Sequence, residues 1–360
     1  MVRRIVRLVQ VTLVLAFLFV GVVGCTSAPA AQPIVSSHEV SVSQVVPVPT
    51  PTPVPLPSPT ALPRVSAGDG ELVPPREPRR NPAPTSSEPA PPRVWSDPPQ
   101  PDDSPAPFAN AELYIHLPPR ANQNQPLRVV LALHGMGAQN DAFAKPLAAE
   151  ADRNNWIVIA PNFKYRDHMN TALVMEDDLI FAKKLVDTLD ALPARLNLKL
   201  YPRALLFGFS RGAQLGHRFA LMYPQRVSGV SVLSAGAYTL PFANLKNDAT
   251  QPMLGFPYGI GDMPRYTGRP VDVQNLKRVA FQIQVGERDT AIADVPRAFD
   301  PYCGKDRVER ARTFEQDLRL VGLNSRLVIF PNTGHEVTNE MRKSAVDFLR
   351  AAELAGLPND

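Results

Sequence analysis

The sequence predicts an α/β domain in which a mostly parallel central sheet carries helices on both faces. Short apolar runs alternate with helix-like segments from Phe108 to the C-terminus, and Gly, Pro or Ser closes each run. A parallel strand pair needs a crossover connection, usually a helix, so this alternation favours a parallel sheet. Residues 108–360 have the size of one large domain.

Six apolar runs are predicted strands: Arg128–Leu133, Trp156–Ala160, Ala204–Phe209, Val230–Ser234, Val279–Val285 and Leu327–Phe330. Five segments with apolar residues at helical spacing are predicted helices: Ala142–Asn154, Asp177–Leu192, Gly212–Tyr223, Arg307–Val321 and Glu336–Ala355. No internal repeat interrupts the pattern, so the elements are expected to form a single core.

A proline-rich segment precedes this domain. Of the 40 prolines, 23 lie between Pro29 and Pro107, in runs with almost no apolar periodicity. Such a composition cannot bury a core, so residues 25–107 are predicted to form a disordered linker. Polyproline segments resist collapse, which would make the linker a semi-stiff tether. The alternative is a disordered spacer whose length has no particular importance.

The N-terminus has the features of a targeting segment. Arg3, Arg4 and Arg7 precede an uncharged apolar run from Leu8 to Gly24, which ends at Cys25. The tetrad from Val22 to Cys25 resembles a bacterial lipobox, which implies a signal peptide over residues 1–24 and lipidation of Cys25. An uncleaved signal anchor and an ordinary secretory peptide are the alternatives. All three export the protein, and the first two attach it to the membrane of the cell envelope.

Charge and cysteine content exclude two classes of protein. The formal net charge is +4, and +4 minus the three N-terminal arginines leaves +1, so nucleic acid is not an expected partner. Cys25 and Cys303 are the two cysteines, so no disulfide framework is expected, and Cys303 is predicted to be a bystander thiol. The sequence specifies no oligomeric state.

The segment from Gly208 to Gly212 has the pattern Gly-x-Ser-x-Gly, with Ser210 at its centre. In a nucleophile elbow, a serine on a tight strand-to-helix turn exposes its hydroxyl, and glycines on either side avoid steric overlap. The apolar run before this segment and the helical segment after it fit that turn. Ser210 is therefore the predicted nucleophile.

A serine hydroxyl needs a base within hydrogen-bond reach, and His335 is the predicted base. It follows the last predicted strand, at a turn from which an imidazole can reach across the strand ends. His134 ends the first predicted strand and is expected to shape a loop. Simpler roles account for the other histidines, in the tail, an early edge segment, a polar loop and a helix: His38, His116, His168 and His217.

The third member of a serine triad is a carboxylate that orients the histidine. Asp289 is the predicted acid, because it follows the predicted strand Val279–Val285 and lies between Ser210 and His335 in chain order. Glu287 and Asp294 are the alternatives from the same loop.

Acyl transfer also needs hydrogen-bond donors for the developing oxyanion. The backbone N–H groups of Met136 and Arg211 are the predicted donors. Gly135 and Gly137 let the loop around Met136 approach the substrate, and Arg211 begins the helix after Ser210. A plain turn after the strand is the alternative for the Met136 loop.

Four segments together resemble the α/β-hydrolase superfamily: Leu133-His134-Gly135-Met136, Gly208-Phe209-Ser210-Arg211-Gly212, Gly286-Glu287-Arg288-Asp289 and Gly334-His335. The resemblance implies an α/β-hydrolase fold and a serine esterase that acts on small or polymeric carboxylic esters without a metal or organic cofactor. Within the superfamily the chain is similar to exported polyhydroxybutyrate depolymerases, feruloyl esterases and dienelactone hydrolase-like proteins. Unlike many of those depolymerases, it has neither a disulfide framework nor a recognisable binding domain.

Two further segments are candidates for the substrate pocket. The long connection from Gly236 to Lys277 is expected to shape the pocket as a cover, with a surface excursion as the alternative. Tyr165 and Arg166 are candidate lining residues. The same triad could serve a serine peptidase or amidase, and a catalytically silent binding module is the remaining alternative.

Overall fold

A computed structural model describes residues 106–356. The predicted signal peptide (1–24), most of the predicted linker and the lipidation candidate Cys25 lie outside the described residues. Within residues 106–356, no helix is long and apolar enough to cross a membrane.

One seven-stranded sheet organises the domain. Its strands, in chain order, are β1 (Leu113–His116), β2 (Arg128–Leu133), β3 (Trp156–Pro161), β4 (Ala204–Phe209), β5 (Val227–Leu233), β6 (Ala280–Gly286) and β7 (Asn324–Phe330). They lie in the order β1-β3-β2-β4-β5-β6-β7, with β1 antiparallel to β3 and every other pair parallel. The predicted mostly parallel sheet is confirmed.

Nine α-helices connect and flank the strands over the described residues. They are α1 (Asn140–Ala144), α2 (Ala148–Asn154), α3 (Thr171–Leu196), α4 (Arg211–Met222), α5 (Met263–Thr267), α6 (Val273–Leu276), α7 (Asp300–Cys303), α8 (Arg307–Leu320) and α9 (Asn339–Gly356).

The two faces of the sheet bury alternate residues of each strand, as the period of a β-strand requires. Val129, Leu131 and Leu133 of β2 join a core cluster that includes residues of α3, α4 and α8. Val130 and Ala132 point the other way, into a second cluster with residues of α1, α2 and α9. Helices on both faces therefore match the prediction.

The largest differences from the predicted elements have local causes. The predicted helix Ala142–Asn154 is divided into α1 and α2 by a 3-10 turn that contains Pro146, which cannot donate a backbone hydrogen bond. The edge strand β1 was not among the predicted strands, because its four residues are only half-buried and alternate little. The other edge strand, β7, begins earlier than predicted, at three polar residues.

Helix α3 is longer at both ends than its predicted core. Asn170 caps its N-terminus, where the side-chain oxygen accepts hydrogen bonds from the N–H groups of Ala172 and Leu173. Asn197 ends the helix in the left-handed conformation, at φ 52°. Helix α9 begins at Asn339, three residues after the predicted start. These boundaries leave the loop around His335 free of helical constraint.

Candidate active site

Ser210 lies on a strained turn between β4 and α4. Its backbone has φ 52° and ψ −114°, a conformation that side chains rarely adopt. Its N–H donates to the carbonyl oxygen of Leu233 at 2.8 Å, which ties the turn to the end of β5. A β-carbon at Gly208 would stand 2.7 Å from the carbonyl oxygen of Gly212, so only glycine fits at position 208. The turn therefore has the geometry predicted for a nucleophile elbow.

His335 connects Ser210 to Asp289. Its Nε2 lies 3.0 Å from Ser210 Oγ, and its Nδ1 lies 2.8 Å from Asp289 Oδ2. The ring centroid also lies 4.8 Å from that of Phe209, which limits how the imidazole can tilt. The structure thus brings the three predicted triad residues together, in hydrogen-bonded order and from three different strand ends.

Two loops meet to bring Asp289 and His335 together. The N–H of Arg288 donates to the carbonyl oxygen of Thr333 at 2.8 Å, which joins the loop after β6 to the loop after β7. A β-carbon at Gly286 would lie 2.3 Å from that same oxygen, so this contact requires glycine. The residues around these loops therefore fix the separation of the acid and the base.

The two alternative acids have other contacts. Glu287 accepts a hydrogen bond from the N–H of Asn332 at 3.0 Å and thus supports the turn after β7. The backbone carbonyl of Asp294 accepts from Arg307 Nη2 at 3.1 Å, and Asp294 lines the cleft in front of Ser210. Of the three candidates, Asp289 is the one whose carboxylate contacts His335.

The carboxylate of Asp289 is fully buried, and each of its two oxygens accepts a hydrogen bond. Oδ2 faces His335, and Oδ1 accepts from Arg307 Nη1 at 3.1 Å. Burial by itself raises the pKa of Asp289, but the hydrogen bond and charge of His335 and the charge of Arg307 outweigh that effect. The pKa therefore lies below its ordinary value of 3.8. Asp289 is ionised at neutral pH and can stabilise a protonated His335.

The two residues predicted to supply oxyanion donors both lie beside Ser210. Met136 and Arg211 both line the cleft with Ser210. A β-carbon at Gly135 would lie 3.3 Å from Ser210 Cβ, so the loop after β2 passes close to the nucleophile. Both residues therefore lie at the cleft beside the serine, and their roles as oxyanion donors stay predictions.

His134 holds the loop after β2 in place. Its Nε2 accepts from the N–H of Phe163 at 2.9 Å, so its Nδ1 carries the proton and donates to the carbonyl oxygen of Gly135 at 2.8 Å. Burial lowers its pKa, although the hydrogen bond to Gly135 acts in the opposite direction. These contacts agree with the structural role expected for His134.

The side chain of Arg211 joins a buried ionic cluster. Arg211 and Arg218 both donate to the carboxylate of Asp178, and all three side chains are at most 1% exposed. The ring of Tyr165 lies 4.7 Å from the guanidinium of Arg211. Because Arg211 begins α4, this cluster fixes the helix N-terminus that supplies one predicted oxyanion donor.

A cleft of about 300 Å³ opens in front of Ser210. Besides the triad serine and histidine and the predicted oxyanion residues, its walls include Gln214, His168, Gly236, Asp294 and Arg307. Sequence reasoning assigned no site role to Gln214 or Arg307. Gln214 follows Ser210 by one helical turn, a spacing that could have revealed it. Arg307 comes from α8, and no sequence signal joins it to Asp289.

The pocket predictions for two segments need correction. Of the segment from Gly236 to Lys277, only Gly236 lines the cleft, so this connection does not cover it. Its start is buried instead, where Thr239 accepts a hydrogen bond from Arg218 and donates one to the carbonyl oxygen of Pro257. Proline and aromatic content alone could not distinguish packing against α4 from a cover.

Tyr165 and Arg166 do not line the cleft either. Tyr165 lies against Arg211, and Arg166 pairs with Glu176 and Asp177 of α3. From the same loop, His168 reaches the cleft. The loop after β3 therefore contributes to the site through a different residue from those predicted.

Comparisons with known proteins agree with this architecture. No family model and no curated protein matches the sequence. Among solved structures, poly(aspartic acid) hydrolase-1 from Sphingomonas sp. KT-1 is 21% identical with a TM-score of 0.52, over 66% of this chain and 92% of that one. A ferulic acid esterase from Anaeromyces mucronatus is 13% identical with a TM-score of 0.47, over 70% and 90%. The first similarity, one of fold alone, confirms the predicted α/β-hydrolase fold.

Proposed function

We propose that this protein is a serine hydrolase that cleaves carboxylic esters, with Ser210 as nucleophile, His335 as base and Asp289 as the orienting acid. The observation that carries the proposal is the position of His335, hydrogen-bonded at once to Ser210 and to a buried, ionised Asp289. That chain of contacts is what an activated serine requires, and it faces an open cleft.

In the proposed reaction, Ser210 Oγ attacks the ester carbonyl while His335 Nε2 takes its proton. Asp289 accepts the Nδ1 hydrogen bond and stabilises the imidazolium. The backbone N–H groups of Met136 and Arg211 stabilise the oxyanion of the tetrahedral intermediate. His335 then returns the proton to the leaving alcohol, which leaves an acyl-enzyme. Water, deprotonated by the same histidine, releases the acid and regenerates Ser210.

The test of this mechanism uses the full-length protein and a short-chain ester such as p-nitrophenyl acetate. Wild-type protein should hydrolyse the ester and form a covalent adduct at Ser210 with a fluorophosphonate. Ser210→Ala should lose both. Ser325→Ala is the matched control, because Ser325 lies near the start of β7, whereas His335 and the cleft follow the end of that strand. Wild-type protein that neither turns over nor is labelled would contradict the proposal and favour a silent binding module.

A serine peptidase or amidase is the second candidate, because the same three residues can attack an amide. The structure from Sphingomonas is named for poly(aspartic acid), a polymer linked by amide bonds, so a chain with this fold can act on such a substrate. Matched ester and amide substrates with the same acyl group distinguish the two functions. A higher kcat/KM for the amide than for the ester would contradict the esterase proposal and favour a peptidase or amidase.

We further propose that the enzyme is exported and attached to the cell envelope membrane through lipidated Cys25. The proposal is supported by the arginines and apolar run that precede Cys25 in the sequence. Cys25→Ser should abolish incorporation of labelled fatty acid. Cys303→Ser is the matched control and should keep the label, since Cys303 is buried in the core. Unchanged labelling of Cys25→Ser would refute lipidation at Cys25, and wild-type protein without label would favour a secreted form or an uncleaved anchor.

A further inference from the structure

Arg307 contacts the predicted triad from helix α8, whereas the three triad residues lie in loops or turns that follow strands. It is the first residue of α8, after the N-cap Asp306. Its Nη1 donates to Asp289 Oδ1 and its Nη2 to the carbonyl oxygen of Asp294, each at 3.1 Å. Its side chain is 5% exposed, so water competes little for these contacts.

The two oxygens of Asp289 have different partners as a result. Oδ2 accepts from His335, and Oδ1 accepts from Arg307. A carboxylate held by His335 alone could turn about its terminal torsion, which has a broad minimum. With both oxygens engaged, the carboxylate plane is fixed, and with it the direction in which Asp289 holds the imidazole.

Arg307 also brings a fixed positive charge to the buried end of the triad. The charged and titratable groups near Asp289 and His335 come from three loops, from α4 and from α8: His168, Tyr238, Glu287, Arg288, Asp294, Arg211 and Arg307. Arg211 and Arg288 are the other fixed cations of this set; the guanidinium of Arg211 pairs with Asp178, and that of Arg288 contacts Asn332. Burial raises the pKa of Tyr238, which keeps that phenol neutral. Within residues 106–356, Arg307 is thus the fixed cation in contact with the acid.

We infer that Arg307 is a positioning residue of the triad, which fixes the Asp289 carboxylate and extends the activity of the triad to lower pH. The inference rests on the proposed serine hydrolase mechanism. The charge of Arg307 lowers the pKa of Asp289, with which its guanidinium is in hydrogen-bond contact. A positive charge at this place makes the addition of a further proton to the triad less favourable, so without it activity is lost at a higher pH as the solution is acidified.

The experiment measures kcat/KM against pH for the full-length protein, with a short-chain ester followed in a pH-stat. Arg307→Met removes the charge and Arg307→Lys keeps it. We expect the acidic limb of the profile to move up by about one pH unit in Arg307→Met and to stay near its wild-type position in Arg307→Lys. Both variants should lose kcat, because neither can make the two hydrogen bonds of the guanidinium in their present geometry.

Arg297→Met is the matched control for loss of charge. Arg297 holds the same region through the carbonyl oxygens of Ile292 and Lys305, and no contact joins it to Asp289. Its acidic limb should coincide with that of the wild type. The rate of fluorophosphonate labelling, measured against pH, gives a second profile. Labelling requires no deacylation step, so this profile can also be measured for variants with slow turnover.

The outcomes separate this inference from the proposed function. An acidic limb in Arg307→Met at the wild-type pH, with only a lower plateau, would mean that Arg307 merely supports the fold and would overturn the inference. Wild-type protein without turnover that depends on Ser210 would overturn the proposed function instead. If Arg307→Met does not fold, the neutral variant Arg307→Gln replaces it, and the expected direction of the limb is the same.

Discussion

Gly212 approaches the end of β2 so closely that a β-carbon at position 212 would stand 2.0 Å from the carbonyl oxygen of Leu133. The same atom would lie 2.5 Å from the carbonyl oxygen of His134. The N-terminus of α4 is therefore packed directly against the loop that carries Met136. The second glycine of the elbow thus sets the distance between the nucleophile and one predicted oxyanion donor.

Gly212→Ala should disrupt this contact. The nearest atoms are backbone atoms of Leu133 and His134, so the methyl group cannot be accommodated by a rotamer change, and α4 and β2 must separate. We expect a loss of about 2 to 4 kcal/mol in the free energy of unfolding, together with loss of esterase activity. Urea denaturation measures the first effect and ester hydrolysis the second.

Gly216→Ala, one turn further along α4, is the matched control. Its β-carbon would meet its nearest atom, Leu133 Cδ1, at 3.4 Å, an ordinary van der Waals contact. Alanine also favours a helix interior, so this variant should gain roughly 0.5 to 1 kcal/mol. Similar stabilities for the two variants would contradict the close approach at Gly212.

Asp178 is the sole carboxylate contacting Arg211 and Arg218 in the buried cluster seen among residues 106–356, and its removal should be costly. Asp178→Asn leaves two buried guanidinium groups without an anionic partner, and breaking a buried ion pair in this way costs about 3 to 5 kcal/mol. Asp190→Asn is the control, because Asp190 is 56% exposed and pairs with Arg226 at the surface. That change should cost less than about 1 kcal/mol. Equal losses in thermal denaturation would argue against the buried cluster.

The sequence predicted the geometry around Ser210 because each of its residues follows from a local rule. The elbow glycines are needed for steric reasons that involve only the five residues from Gly208 to Gly212. Asp289 and His335 each follow a predicted strand, and the carboxyl ends of parallel strands lie at the same edge of the sheet. Chain order places the acid between Ser210 and His335, and a position after a predicted strand then favours one loop. The alternatives Glu287 and Asp294 could not be set aside by sequence, since all three carboxylates lie within eight residues of one another.

The contacts that the sequence did not predict depend on three-dimensional packing between distant segments. Arg307 reaches Asp289 across 18 positions and Arg218 reaches Asp178 across 40, with no periodicity to signal either pair. The segment from Gly236 to Lys277 was expected over the cleft because folds of this kind insert material over the site at this point in the chain. Its contact with Arg218 and α4 depends on hydrogen bonds of Thr239, which no hydropathy pattern encodes.

Asp289→Asn should lower both activity and stability, the latter in a pH-dependent way. The amide cannot stabilise a protonated His335, so kcat should fall by about four orders of magnitude. The pKa of Asp289 is lower in the folded state than the 3.8 of the unfolded chain. Between the folded-state pKa and the unfolded-state pKa, the unfolded chain therefore binds more protons than the folded one, and the free energy of unfolding rises with pH. The stability advantage of the wild type should therefore be complete above about pH 5 and shrink as the pH falls below 3.8. Urea denaturation from pH 7 to pH 3 checks this, and a constant difference would contradict it.

His217 should make the fold sensitive to mild acid. The imidazole is fully buried, donates from Nδ1 to the carbonyl oxygen of Ala213 at 3.0 Å and accepts at Nε2 from the N–H of Thr239 at 2.9 Å. A second proton on the ring would remove the acceptor that Thr239 uses. Burial, followed by the charge of Arg218, lowers the pKa of His217 well below 6.5.

The sign of the effect follows from this depression. Below pH 6.5 the unfolded chain protonates His217 while the folded chain does not, so the free energy of unfolding falls as the pH falls, by up to about 1.4 kcal/mol per pH unit. His217→Gln should be less stable at pH 7 but lose less between pH 7 and pH 5 than the wild type. Part of the dependence should remain, because burial also lowers the pKa of His134. Urea denaturation at the two pH values measures the difference, and parallel losses in variant and wild type would refute the assignment.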